Sequence, residues 1–129
     1  MKAKTNSTFI RRVLYGNSIF SGAGGLLFII AFNAIAQFIG VDTPLVILII
    51  GIGLVGYAAV IYINASRAEI PRFFVLVTVF GDSTWVLLST LLLITGWVQF
   101  SAEGKWAIGI VAMIVDVFAT MQFIEWRKM

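Results

Sequence analysis

The chain has 129 residues, no cysteine and no histidine, 60% hydrophobic residues, 12% charged ones and a formal net charge of +3. A soluble domain of this size keeps too much surface in water to hide so much apolar side chain, and disorder needs the opposite composition. The missing residue types exclude disulfides, thiol redox chemistry, zinc sites, His-ligated haem and His-based acid/base catalysis, so no cofactor is expected.

The chain opens on a basic tail with Lys2, Lys4, Arg11 and Arg12, then falls into four apolar blocks at residues 13–39, 45–63, 73–98 and 106–124. A helix needs roughly 20 residues to cross ~30 Å of hydrocarbon, and each block approaches or exceeds that length. Strands would be shorter and would carry turn signals inside the blocks. A transmembrane barrel would alternate polar and apolar side chains, and these blocks do not. The pattern predicts an all-α integral membrane protein: one domain over residues 1–129, folded as an antiparallel bundle of four transmembrane helices. Residues 5–12 are too polar to span and are expected at the membrane interface.

Punctuation agrees with these boundaries. Thr43 and Pro44 read as an N-cap and first helical residue, because proline lacks the N–H that would be orphaned there. Pro71 is expected to open the third helix in the same way, and Ser101 to cap the fourth. Trp97, Trp106 and Trp126 fall near predicted helix ends, where amphipathic rings favour the interface.

Orientation follows from the basic residues. The two tails and the middle loop hold eight of the nine, with Arg67, Arg72, Arg127 and Lys128 joining the four already named; only Lys105 lies on the other side. The positive-inside rule then places both termini in the cytoplasm. The basic belt is read as topology and lipid contact. No basic groove or stacking platform accompanies it, so nucleic acid is not an expected partner. A rival reading takes residues 2–36, ending Ala34-Ile35-Ala36, as a signal peptide; its apolar run is too long for a typical one.

Ionisable groups inside hydrocarbon cost ~2.5–3.5 kcal/mol on insertion scales, so they mark function first. Two stand out, Asp82 in the third span and Asp116 in the fourth. At 1.5 Å per residue each lies about 15 Å from the basic side, near the midplane. Thr78, Asp82, Trp85 and Ser89 share one helical stripe. Gly109, Ala112, Asp116 and Ala119 share another, whose small members predict that Asp116 faces the bundle. Asn17 and Ser21 in the first span and Tyr57 in the second, beside Gly53 and Gly56, lie at similar depth. Together they predict a polar centre of Asn17, Ser21, Tyr57, Asp82 and Asp116, with Trp85 one turn away to stack on a cation or flat ligand. If the two carboxyls meet they cannot both ionise cheaply, and they should share a proton. The plainer alternative is that each acid only hydrogen-bonds neighbouring helices, at ~0.6 kcal/mol per bond.

Three stretches resemble a family of small bacterial four-span inner-membrane proteins: Asn17-Ser-Ile-Phe-Ser-Gly, Gly81-Asp-Ser-Thr-Trp-Val-Leu-Leu-Ser and Gly104-Lys-Trp. The resemblance implies the fold and a multi-pass place in the bacterial inner membrane, and imports no activity. From the residues, the expected function is a proton- or cation-linked transporter or channel subunit working through midplane carboxyls. The alternative is an accessory or scaffolding subunit of a larger membrane complex, with or without an apolar ligand held among its aromatic side chains. Either implies lipid and a homo-oligomer or larger complex as partners. No nucleophile, metal set or phosphate-binding cluster suggests an enzyme.

Overall fold

The computed structural model describes residues 3–129; Lys2 of the basic tail lies outside the described residues. Five helices follow one another: α1 Thr8–Ile30, α2 Phe32–Ile39, α3 Pro44–Ala65, α4 Arg72–Thr95 and α5 Ala102–Lys128. Four of them, α1, α3, α4 and α5, are long and apolar enough to cross a membrane. Their outer surfaces carry largely exposed Ile, Leu, Phe and Trp side chains, such as Ile19, Ile30, Phe73 and Leu87, which suit lipid better than water.

Two helix pairs organise the molecule: α1 packs along α3, and α4 along α5, with fewer contacts between the pairs. The α1–α3 crossing depends on Gly25 and Gly51. A Cβ on either would stand 2.8 Å from the other's carbonyl oxygen, so only glycine lets the backbones approach this closely.

The first span is not one helix over residues 13–39. It begins earlier, at Thr8, where the Ser7 hydroxyl accepts from the Ile10 N–H, so part of the segment expected at the interface is already helical. It then bends at Ala31 (φ −119°, ψ 32°). Hydrogen bonds from Ala31 N to Leu27 O and from Ile35 N to Ala31 O, each 2.9 Å, carry the ladder across the bend. The bend brings the end of α2 onto the start of α5. There Ser101 N and Oγ donate to Ile39 O (2.9 Å) and Phe38 O (2.5 Å), and a Cβ on Gly104 would stand 2.6 Å from the Ile39 Cα. No proline marks the bend, and the run stays mostly apolar on both sides despite Asn33 and Gln37 just beyond it, so hydropathy gives it little mark.

The other boundaries shift less. Pro44 is the first residue of α3, although Thr43 makes no side-chain capping bond. Pro71 is not the first helical residue of α4. It belongs to β2 (Ile70–Pro71), which pairs antiparallel with β1 (Lys4–Thr5), Lys4 opposite Pro71 and Thr5 opposite Ile70. Ser101 caps α5 by accepting from Gly104 N at 2.9 Å. That helix runs four residues past the predicted limit of residue 124, because no breaker stops it.

The apolar core lies at the basic end, built on Ile10, Leu14, Ile61, Ile70 and Val75. Arg11 locks this end: its guanidinium donates to the carbonyls of Ala65, Arg67 (2.6 Å) and Ala68 (3.1 Å). A cation there also opposes the negative end of the α3 dipole. Arg72 lies 4.2 Å over the Trp126 ring, so Trp126 serves α4–α5 packing at that end.

Candidate functional site

Directly above the core the helices bury polar side chains. Asn17 and Ser21 come from α1, Thr78 and Asp82 from α4, and Gln122 from α5, with Tyr57 of α3 half-buried beside them. Asp82 is 3% exposed, Asn17 2% and Gln122 0%. Asn17 Nδ2 donates to Asp82 Oδ2 (2.7 Å) and to Gln122 Oε1 (2.8 Å). Gln122 Nε2 donates to the same Asp82 Oδ2 (2.9 Å), and Tyr57 Oη donates to Asp82 Oδ1 (2.9 Å). Ser21 Oγ donates to Asn17 Oδ1 (3.1 Å). Nearby, Ser18 Oγ donates to Ala58 O (2.8 Å), tying α1 to α3.

The donor directions converge. Ser21 feeds Asn17, Asn17 and Gln122 feed Asp82, and Tyr57 feeds Asp82 from the other side. An ionised carboxylate only accepts, so it suits the end of such a chain. Each donor is neutral. No salt bridge reaches Asp82 among the described residues; the one ion pair there joins Lys128 to Glu125 at 3.4 Å.

Asp82 also borders a cavity of about 260 Å³ to which all four long helices contribute. Ser21, Tyr57 and Asp82 form its polar wall; Phe20, Phe28 and Trp85 supply aromatic faces. Trp85 therefore sits beside the Asp82 carboxyl in one cavity, as the stripe Thr78–Asp82–Trp85–Ser89 requires. Among the described residues no group of three or more His, Cys, Asp or Glu comes together to hold a metal ion.

Five of the six residues singled out in the sequence thus meet: Asn17, Ser21 and Tyr57 by hydrogen bonds around Asp82, and Trp85 by the shared cavity. Asp116 does not. It is exposed on the outer face of α5, although Ala112 and Ala119 of its predicted stripe are buried. The buried face of α5 runs through Ala112, Val115, Ala119 and Gln122. Seating Gln122 inside turns Asp116 outward, about 100° around from Val115. The physical preference is clear: an amide can donate to Asp82, whereas a second carboxylate would repel it. Gln122 is the residue that sequence reasoning passed over. Its signal was its place as a lone amide within an apolar run, three residues beyond Ala119. Gly53 and Gly56, expected at a helix interface beside Tyr57, are exposed as well, and a Cβ on either would meet nothing within 4 Å.

No family model matches the chain, and no curated protein or solved structure matches it either. The fold and site define a class, a multi-pass membrane protein with a buried acid at a four-helix junction, and the functional reading rests on that geometry.

Proposed function

We propose that the protein is an antiparallel four-helix bundle of the bacterial inner membrane, both termini cytoplasmic, in which Asp82 binds a proton or a small cation as part of a transporter or channel subunit. The supporting observation is one acid, buried among four helices on the wall of a cavity, that receives neutral donors alone. Neutral donors stabilise a carboxylate without cancelling its charge, and a charge far from water calls for a counter-ion or a proton. The relay expected between two carboxyls becomes a single-acid site. Asn17 and Gln122 hold Oδ2, while Oδ1 faces the one donor that has another place to go. Tyr57 Oη also lies 3.4 Å from Thr78 O. A proton arriving on Oδ1 lets the phenol turn to that carbonyl, so loading Asp82 changes the link between α3 and α4. No catalytic step is assigned to the site.

The test is Asp82→Asn in proteoliposomes, with folding checked by circular dichroism. Proton-coupled cation flux is expected to vanish while the helices persist. Flux equal to that of the parent would remove the reading.

A second reading, an accessory or scaffolding subunit of a larger membrane complex, draws on α3. Gly53 and Gly56 leave a flat exposed strip there, a surface type that neighbouring helices use in membranes. It predicts a stoichiometric partner after extraction in mild detergent, and a monodisperse particle of this chain alone counts against it.

A further inference from the structure

We propose that the outward face of α5 joins two copies of this chain about a two-fold axis along the membrane normal, with Asp116 of each copy meeting Thr120 of the other across the axis. The observation is a pair of polar side chains on the outer surface of a span-length helix, without partners among the described residues. Asp116 and Thr120 lie one turn apart, both exposed. Neither the Asp116 carboxyl nor the Thr120 hydroxyl makes a hydrogen bond among the described residues. The exposed threonines of α4 behave differently: Thr84, Thr90 and Thr95 each donate to the carbonyl one turn back, at 2.7, 2.8 and 2.6 Å.

The surrounding face is shaped for a helix. Trp106, Gly109, Met113, Asp116, Thr120 and Phe123 recur at alternating steps of three and four residues, the spacing that keeps one seam against a partner helix. Gly109 leaves the seam open, since a Cβ there would meet nothing within 4 Å. A groove of about 500 Å³ lies beside it, bordered by Trp106 and Met113. Met113 is 70% exposed and Trp106 73%, so both are free to fill that groove on a second copy.

The chemistry selects the occupant. Two copies insert with the same orientation because the basic bias is strong, so a two-fold axis brings the Asp116–Thr120 turn of each copy to the same depth against the other. A carboxylate accepts and a hydroxyl donates, so each copy supplies what the other lacks. Knobs-into-holes packing then brings Thr120 of one copy into the hole around Asp116 of the other. Lys105 and Arg127, the nearest basic residues of α5, each lie eleven residues away, about 16 Å along the helix, too far to neutralise the acid. A basic helix of another protein would answer Asp116 alone; a second copy answers the acid and the hydroxyl on both sides at once.

The absence of cysteine gives a clean background for cross-linking. Gly109→Cys and Thr120→Cys keep Asp116 and sit on the seam. Gly56→Cys on α3 and Leu87→Cys on α4 sit on other exposed faces. In native membranes at low expression, copper phenanthroline is expected to convert the two seam variants to a species of twice the 14.2 kDa chain mass and to leave the other two monomeric. Adding Asp116→Leu to Gly109→Cys is expected to lower the dimer yield, and adding Asp116→Asn to preserve it, because a carboxamide oxygen also accepts from the Thr120 hydroxyl. Monomer from both seam variants, equal yield from Gly56→Cys, or an adduct with a different protein in place of the dimer would each overturn the proposal.

Discussion

Asp82 and Asp116 are the same side chain at similar depth on neighbouring helices, and the protein treats them in opposite ways. Asp82 is enclosed, with donors from α1, α3 and α5 converging on its two oxygens. Asp116 stands on the outer surface of α5 without a partner among the described residues. The difference comes down to what each helix can bring to the junction. α4 delivers an acceptor, so α5 must deliver a donor, and Gln122 is the residue on α5 that can do so. The rotation that seats Gln122 carries Asp116 outward. Burying both acids would have set two charges against each other in a medium that screens them poorly.

Substitution of the two acids by leucine sharpens this contrast most. Asp82→Leu deprives Asn17 and Gln122 of their shared acceptor, and a buried donor left unsatisfied costs roughly 1–3 kcal/mol, so a loss of about 3 kcal/mol is expected. Asp116→Leu, in a detergent that keeps the chain monomeric, should stay within about 0.5 kcal/mol, as surface changes usually do. Unfolding midpoints in mixed micelles measure both, and equal losses would erase the distinction between the sites.

Gln122→Leu should act less strongly than Asp82→Leu, by about 1–2 kcal/mol. Asp82 keeps Asn17 and Tyr57 as donors, and Asn17 keeps Asp82 as an acceptor. If this variant matched Thr120→Val, an outward-facing control, Gln122 would not belong to the junction. Gly81→Ala is the finest probe. Its new Cβ would lie 3.1 Å from Tyr57 Oη, so the phenol must yield by a few tenths of an ångström, at an expected cost under about 1 kcal/mol. The tyrosine hydrogen-bond signature in resonance Raman spectra should shift, whereas Gly24→Ala, which meets nothing within 4 Å, should leave it unchanged. An unmoved signature in Gly81→Ala would show that Tyr57 does not rest against α4.

Much of the junction was legible before folding. Asn17, Ser21, Tyr57 and Asp82 are polar residues in otherwise apolar blocks, and the cost of placing them in lipid marks them whatever the helix rotation. Trp85 followed from its place one turn beyond Asp82. The reading failed where small residues on α3 and α5 served as the guide. Ala112 and Ala119 do face inward, yet a stripe drawn through them passes equally well through Asp116 or through Val115 and Gln122, and spacing alone does not choose. Gly53 and Gly56 misled for the same reason: glycine permits close packing without requiring it, and the true close approach uses Gly51 with Gly25.

Four apolar helices and the basic asymmetry between the two sides were written in the chain itself, because the hydrophobic effect and interfacial charge respond to residue type summed over a segment. The bend at Ala31, the rotation of each helix and the choice of Gln122 over Asp116 belonged to the tertiary structure. Lipid tails are as apolar as the protein interior, so hydropathy does not distinguish the inside of a membrane helix from its outside. Only contact between helices, through backbone approach at Gly25 and Gly51 and through donors matched to Asp82, determined which faces turned inward.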